Sequence, residues 1–216
     1  MIRWRGCRVI IACNVCKQAV RGDIMLYDLI RQTRSFRRFQ ENEPVQIATL
    51  RSLVDLARLG GSARNVQPLK YILINDPMMN ARIFPHLAWA GYLKDWPGPA
   101  EGERPAAYII CLLDTRLSQE AGCDLGIATQ NILLGATENG LGGCRIASFS
   151  PGLKDILAID NHLKILLVVA LGKTVENISL DELQQDGDIK YWRDADQVHH
   201  VPKRSLAEII LTEITS

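Results

Sequence analysis

The run of apolar residues from 106 to 113 limits the possible folds of this chain more than any other segment. It spans eight residues and contains no charged side chain. That length suits a β-strand, and an apolar strand without alternation is typical of a sheet that is covered on both faces. The segment therefore predicts a buried central strand in a layered protein.

Helices and strands are interleaved along the rest of the chain. Short apolar segments predict further strands at residues 69–74, 144–149 and 164–171. Helical spacing and start signals predict helices at residues 25 to about 31, 44–59, 77–90, 118–139 and 151–157. The first two predicted elements are helices, which is unusual for a chain that begins with a nucleotide-binding βαβ unit.

The glycine fingerprint of dinucleotide-binding domains is also missing. Residues 140–143 (Gly-Leu-Gly-Gly) come closest, but they follow a predicted helix, and Arg145 stands at the sixth position. The chain has no P-loop, HExxH or GxSxG motif. A Rossmann domain is therefore a poor interpretation.

The predicted helix at 118–139 contains an unusual number of small residues. Glycine inside a helix costs about 1 kcal/mol relative to alanine, so several glycines indicate the close approach of another helix. That helix could belong to the same chain or to a second subunit. Asp124 and Glu138 are interpreted as ordinary polar positions of this helix.

The charge balance restricts the ligands that the chain can bind. Its 216 residues include 25 Lys and Arg against 24 Asp and Glu, a net charge of +1. A general nucleic-acid binder is expected to be strongly basic, so any anion site must be local. The most apolar run, residues 165–171, is far shorter than the roughly 18 residues of a membrane span. We therefore expect a protein that binds neither nucleic acid nor a membrane.

The six cysteines fall into two groups. Cys111, Cys123 and Cys144 lie in apolar segments and are predicted to be buried thiols in a reducing, cytoplasmic compartment. The other three, which lie in residues 1–24, include a CxxC without the further ligands that a metal site needs. We interpret residues 1–24 as an N-terminal appendage, and no metal site is predicted.

The strongest local anomaly is a basic cluster in residues 31–38. Its four arginines fall within eight positions, and no acidic residue interrupts them. If the first helix continued through them, Arg31, Arg34 and Arg38 would repel one another on one face. A bound phosphate would remove that repulsion, because guanidinium groups match phosphate geometry. A solvated basic face is the alternative.

Two other polar segments could contribute to an anion or heterocycle site. The loop at 62–68 carries Asn65 and Gln67 directly before a strand, and Lys203 and Arg204 form a basic pair near the carboxyl end. The neighbouring pair of histidines at 199 and 200 is interpreted as a mobile surface pair.

In these segments the chain resembles the nitroreductase family of FMN-dependent oxidoreductases. The resemblance extends from residue 25 to about 210 and implies that residues 25–216 form one FMN-binding domain. Four segments carry it in the family's order: residues 33–39 (TRSFRRF) are similar to the RSxRxF signature, 62–68 to the S-x-x-N-x-Q-P loop, 124–142 to the long central helix, and 170–173 to a late strand and turn.

The resemblance implies an α+β fold with a central, mostly antiparallel sheet flanked by helices. It also implies an intertwined homodimer with two FMN sites at the interface, in which the glycine-rich helix would lie at the dimer contact.

The resemblance further implies which residues bind FMN. Arg34 and Ser35 correspond to phosphate ligands, and Arg37 to a ligand of the pyrimidine edge. The remaining correspondences are Asn65 and Gln67 in the second segment, the backbone amides of Ala147 and Ser148 at flavin N5, and Lys203 and Arg204 at the phosphate. Thr33 departs from the pattern, since many members have a further arginine there. Two alternatives stay open: Arg31 compensates for the lost charge, or the phosphate affinity is weaker than usual.

The implied activity is that of an FMN-dependent NAD(P)H oxidoreductase. Hydride would pass from NADH or NADPH to flavin N5, and two electrons would then pass to a small-molecule acceptor such as a nitroaromatic or quinone, in a ping-pong sequence. No catalytic side chain is expected, since the flavin carries the chemistry. The alternatives are a narrower activity such as reductive dehalogenation, or a non-catalytic flavin- or nucleotide-binding module. RNA binding through the basic cluster is disfavoured by the overall charge.

Overall fold

A computed structural model describes residues 25–184 and 186–215. The predicted appendage at 1–24 and its three cysteines lie outside the described residues. The helices of the described part are α1 (Leu26–Gln32), α2 (Ile47–Leu59), α3 (Pro77–Ile83), α4 (Asp124–Glu138), α5 (Gly152–Ile156) and α6 (Leu206–Ile209). Its strands are β1 (Leu69–Ile74), β2 (Ala107–Asp114), β3 (Gly142–Ile146), β4 (Leu163–Gly172), β5 (Ile178–Glu182), β6 (Trp192–Arg193) and β7 (His199–Lys203).

The four predicted strands form one antiparallel sheet in the order β1-β2-β4-β3. The strand β2 lies inside this sheet, where Ile110 pairs with Ile72 on one side and Val168 on the other. A second sheet has the order β5-β7-β6, with β5 parallel and β6 antiparallel to β7. The sequence analysis did not predict this small sheet.

Helices cover both faces of the main sheet, as the apolar run predicts. All eight residues of β2 are buried, and alternate side chains face opposite sides. Ile109 and Cys111 pack into a core formed with α2 and α4, whereas Ile110 and Leu112 pack into a core formed with α3 and α5. The predicted α+β fold with a flanked antiparallel sheet is confirmed.

Several predicted helix bounds are wrong for identifiable reasons. The second helix starts at Ile47 instead of Pro44, because buried Val45 is held in the preceding segment by a bond from Asn75 Nδ2 to its carbonyl (3.1 Å). The third ends at Ile83, where a short 3₁₀ turn containing Pro85 follows. Proline has no backbone N–H with which to continue the α-helical ladder.

The long central helix begins at Asp124, six residues later than predicted. Gly122 has φ +49°, a left-handed conformation that stops a helix from extending backwards through it. Within the helix, Gly135 faces α2: a Cβ there would lie 3.0 Å from Leu53 Cδ2 and would clash with Leu56. The helix that approaches Gly135 closely is therefore α2 of the same chain.

The cysteine prediction is confirmed for two residues and wrong for one. Cys111 and Cys144 are buried, and burial raises the pKa of each thiol to about 12. Cys123 is exposed, because it precedes α4 at the end of the turn rather than lying inside the helix. None of the helices in the described segments is both long and apolar enough to cross a membrane.

Candidate functional site

A cavity of about 320 Å³ opens between the segment after α1, the helix α4 and the strands β3 and β7. We call it the cationic cavity. Its described lining contains no Asp or Glu, and four of its side chains are basic: Arg34, Arg37, Arg145 and Lys203. Like charges gathered without acids repel one another, so an anionic ligand would stabilise the arrangement. The volume lies within the range of small-molecule sites.

Two arginines of the basic cluster, Arg34 and Arg37, line this cavity, and both follow the end of α1. The first helix ends at Gln32 and does not continue through the cluster, so the condition under which Arg31, Arg34 and Arg38 would share a helix face is not met. Thr33 Oγ1 donates to the Leu29 carbonyl (2.8 Å) and is 2.9 Å from Thr137 Oγ1, which fixes the end of the helix.

The segment after α1 is attached to β3. Ser35 bridges to Gly143 in parallel fashion, and the Phe36 N–H donates to the Gly143 carbonyl at 3.1 Å. Arg34 Nη2 donates to the Ile30 carbonyl (2.6 Å), while its buried Nε has no partner among the described residues. Burial lowers the pKa of Arg34. The Arg34 guanidinium is thus partly desolvated without a compensating charge.

Arg37 is held from several sides. Its backbone N–H donates to Glu176 Oε2 (2.7 Å), and Glu176 Oε1 accepts from Arg193 Nη2 (2.6 Å). Its Nη1 donates to the Ser35 carbonyl (3.1 Å), and its guanidinium lies 4.9 Å from the centre of the Tyr191 ring. The side chain is therefore oriented by its surroundings before any ligand binds.

The interpretation of the two histidines as a mobile surface pair is wrong. His199 is only 1% exposed, and its Nε2 lies 3.3 Å from Arg37 Nη1, so this nitrogen is the acceptor. Burial, and then the nearby arginines, lower the His199 pKa to about 4, although Glu176 opposes the shift. His199 is neutral near pH 7.

His200 points to the other side of β7, as alternation along a strand requires. Its ring contacts two carboxylates: Nδ1 lies 2.7 Å from Asp181 Oδ2, and Nε2 lies 3.2 Å from Asp194 Oδ2. The indole of Trp192 stacks on it at 4.1 Å. Hydrogen bonds to Asp194 and Asp181 raise the His200 pKa. The two neighbouring histidines therefore favour opposite protonation states.

Arg145 is a cavity residue that the sequence analysis missed. It projects from β3, where its Nε donates to Thr129 Oγ1 (2.8 Å) and its Nη2 donates to Gln130 Oε1 (2.7 Å). Both acceptors belong to α4. The only sequence signal was a basic residue two positions before Ala147, and its partners lie about 15 positions upstream.

The basic pair at the carboxyl end is divided. Lys203 lines the cationic cavity. Arg204 forms an ion pair with Glu208 and lines a separate cavity that also includes Glu182 and Asp186. In a single chain, only Lys203 joins the other predicted phosphate ligands.

The loop that carries Asn65 and Gln67 lies at another cavity, of about 210 Å³, next to α2 and the start of α4. Asn65 and Gln67 are exposed and both have positive φ, 56° and 52°. Asp124 holds this loop by accepting from Ser62 Oγ (2.6 Å) and from the Ala63 N–H (2.9 Å). Its interpretation as an ordinary helix position is wrong, because its carboxylate is buried and bonded to the loop.

Ala147 and Ser148 follow β3 directly and are exposed. The Ser148 carbonyl accepts from the Ala88 N–H at 3.0 Å, which fixes the segment against the end of the 3₁₀ turn. Among the described residues, no group of three or more His, Cys, Asp and Glu is placed to hold a metal ion.

Comparisons with known proteins agree with one family. The nitroreductase family model matches residues 30–173. A curated protein of Methanothermobacter thermautotrophicus, named as an NADH dehydrogenase/NAD(P)H nitroreductase, is 26% identical in an alignment of 182 residues. The alignment covers 81% of this chain and 89% of that protein.

Solved structures show the same fold. A nitroreductase from Desulfovibrio desulfuricans in complex with FMN superposes with a TM-score of 0.64 at 23% identity, over 90% of this chain and 100% of that one. A nitroreductase family protein from Streptococcus pneumoniae gives a TM-score of 0.60 at 18% identity, over 72% and 93% of the two chains. Because the family model covers most of the sheet together with the basic cluster, this chain belongs to the nitroreductase family.

Proposed function

We propose that this chain is an FMN-dependent oxidoreductase that oxidises NADH or NADPH and reduces a small-molecule acceptor such as a nitroaromatic or a quinone. Family membership supports the reaction class. One similar protein is named as an NAD(P)H nitroreductase, and a similar solved structure is a complex with FMN. We also propose a cytoplasmic protein whose FMN-binding domain is residues 25–216, without a role for residues 1–24.

The cationic cavity is the observation that carries this proposal. It gathers four basic side chains with no acid in its described lining. Arg34 also carries a buried Nε without a partner among the described residues. A buried donor that lacks an acceptor costs about 1–3 kcal/mol, which a phosphate oxygen would recover. The residues present therefore fit the phosphate of FMN.

The predicted ligands that line the cavity then divide between two parts of the cofactor. Arg34, Ser35 and Lys203 bind the phosphate, while Arg37 donates to the pyrimidine edge of the ring. Because Arg37 is already held by Ser35 and stacked on Tyr191, little of its side-chain entropy is lost on binding. Bound FMN supplies hydride and two-electron chemistry at N5, which protein side chains cannot provide.

The amides of Ala147 and Ser148 are proposed to donate toward flavin N5. They directly follow β3, the strand that carries Arg145. The hydrogen bond from the Ala88 N–H to the Ser148 carbonyl restrains the backbone there. A fixed N–H donor at N5 orients the ring toward the incoming hydride. No side chain is required as a nucleophile or obligatory acid.

We propose that the active form is a homodimer. In one chain, Gln67 lines the second cavity while Arg34 and Arg37 line the first, so the two groups of ligands do not meet. A loop at 62–68 supplied by a second copy would complete the site. Exposed apolar side chains favour such a contact: Tyr27 on α1 is 70% exposed and Leu211 is 94% exposed.

Spectroscopy of the purified protein tests this function. The FMN-loaded protein is expected to be yellow, to lose its flavin absorbance when NADH or NADPH is added without oxygen, and to regain it when a quinone or nitroaromatic follows. A protein that never acquires flavin absorbance contradicts the proposal. A yellow protein that neither nicotinamide bleaches would instead be a flavin-binding module.

A further inference from the structure

We infer that Arg145 binds the phosphate group of the cofactor in the cationic cavity, as a third basic ligand beside Arg34 and Lys203 and next to the hydroxyl of Ser35. This inference rests on the proposed FMN function and extends it to a residue outside the family motifs noted above. It identifies a binding residue from its position, its partners and the absence of a counter-charge.

The partners of Arg145 orient it without neutralising it. Thr129 Oγ1 and Gln130 Oε1 accept from Nε and Nη2, at 2.8 and 2.7 Å. Thr129 is itself fixed, because its hydroxyl lies 2.8 Å from the Leu125 carbonyl one turn earlier in α4. Two neutral acceptors therefore hold one edge of the planar guanidinium, and Nη1 on the other edge remains for a ligand.

Other arginines of the described chain show what a structural role looks like. Arg38 makes a two-point contact with Glu103, and Arg193 pairs with buried Glu176. Arg116 makes a two-point contact with buried Asp114 through its Nε and Nη2. Across residues 25–184 and 186–215, no carboxylate lies within ion-pair distance of Arg145.

No neighbouring carboxylate offsets the partial burial of Arg145. Although Arg145 is exposed to solvent, this partial burial lowers its pKa. A cation that loses part of its hydration without gaining a carboxylate is stabilised by an anionic ligand. Phosphate matches the free edge of a guanidinium better than a single-point anion does.

The same geometry explains how phosphate binding tolerates Thr33. Thr33 is buried and uses its hydroxyl to close α1 against Thr137, so no cation can project from that position. Arg145 supplies a cation to the same cavity from β3, a different element. The charge lost from the motif is restored by a residue about 110 positions later.

The test compares variants of the apoprotein. Arg145→Gln removes the positive charge, and Arg145→Lys keeps the charge but lacks the planar guanidinium group with its several N–H donors. The control, Arg82→Gln, removes an equal charge from an exposed position of α3 outside the cavity. Each protein is titrated with FMN and with riboflavin, which lacks the phosphate. Circular dichroism confirms that each variant is folded.

Arg145→Gln is expected to weaken FMN binding about 10- to 100-fold, the equivalent of one or two charge-assisted bonds, and to leave riboflavin binding unchanged. Arg145→Lys should lie between wild type and Arg145→Gln, and Arg82→Gln should match wild type. Inorganic phosphate should raise the melting temperature of the apoprotein more than that of Arg145→Gln.

Three results would overturn the inference. Unchanged FMN affinity in Arg145→Gln removes Arg145 from the phosphate site. Equal losses for FMN and riboflavin show a structural role instead. A loss confined to the KM for NADPH, with NADH unaffected, assigns Arg145 to the phosphate of the nicotinamide donor. Failure of the proposed function looks different, because wild type itself would then bind no flavin.

Discussion

Replacing Glu176 with glutamine is expected to destabilise the protein strongly, because Glu176 joins three segments behind the cationic cavity. Its carboxylate is fully buried, and its ion-pair partner Arg193 is only 10% exposed. One oxygen accepts from the Arg37 N–H and the other from Arg193. A glutamine amide has a single acceptor, so its NH₂ group must face one of these two donors.

The magnitude follows from the burial. Breaking a buried ion pair on one side typically costs about 3–5 kcal/mol, since the remaining charge stays buried without a partner. We therefore expect Glu176→Gln to reduce the free energy of unfolding by about that amount. The matched control is Glu103→Gln, whose pair with Arg38 is partly exposed, at 32% and 22%, and should lose only about 1 kcal/mol.

Urea unfolding at pH 7 measures both variants, with every protein at the same concentration because a dimer would make the midpoint depend on it. Combining Glu176→Gln with Arg193→Leu should cost less than the sum of the two single changes, since the unpaired cation is then gone. A Glu176→Gln loss no larger than that of Glu103→Gln, or strict additivity in the double variant, would refute the reasoning.

Further predictions concern the histidines, the loop and the sheet. Folding lowers the pKa of His199 to about 4 and raises the pKa of His200. The contribution of His199 to the free energy of unfolding should therefore fall as the pH drops from about 6.5 toward 4. The stabilising contribution of His200 should instead be lost as the pH rises above about 6.5. Histidine NMR titration checks this, and two similar curves would contradict it. Asp124→Ala should lower the unfolding free energy by about 2–4 kcal/mol, because two donors of the 62–68 loop lose their acceptor; urea unfolding would refute this if the loss were under about 0.5 kcal/mol. Gly143→Ala should cost about 1–3 kcal/mol, since its Cβ would lie 2.5 Å from a β4 carbonyl oxygen, whereas Gly61→Ala meets nothing within 4 Å; equal melting temperatures would contradict the packing.

The sequence predicted the main sheet well, because the signal for it is local. The strand at 69–74 has the predicted bounds, and the run at 106–113 differs by one residue at each end. The run at 106–113 contains no charged side chain that needs solvent, so its burial on both faces could be predicted without knowing its neighbours in the sheet. Helix starts were less predictable, since Gly122 stops α4 through its backbone conformation, not through its polarity.

The small sheet and part of the site could not be predicted because their partners are distant in sequence. The strand β7 contains His199, His200 and Pro202, which do not show the alternation of a half-buried strand, and β6 has only two residues. The burial of His199 depends on Arg37, which lies 162 positions away. Arg145 was missed although its acceptors are only 15 and 16 positions away, because they lie on a different element, α4, and the packing of α4 against β3 was not known.

Binding of FMN and riboflavin by the wild-type apoprotein, at low and at high salt, tests the central claim most directly. If the cationic cavity holds the cofactor phosphate, FMN should bind about 100-fold tighter than riboflavin at low salt, and salt should weaken only FMN. Equal affinities for the two flavins, or a salt dependence common to both, would contradict the assignment of this cavity.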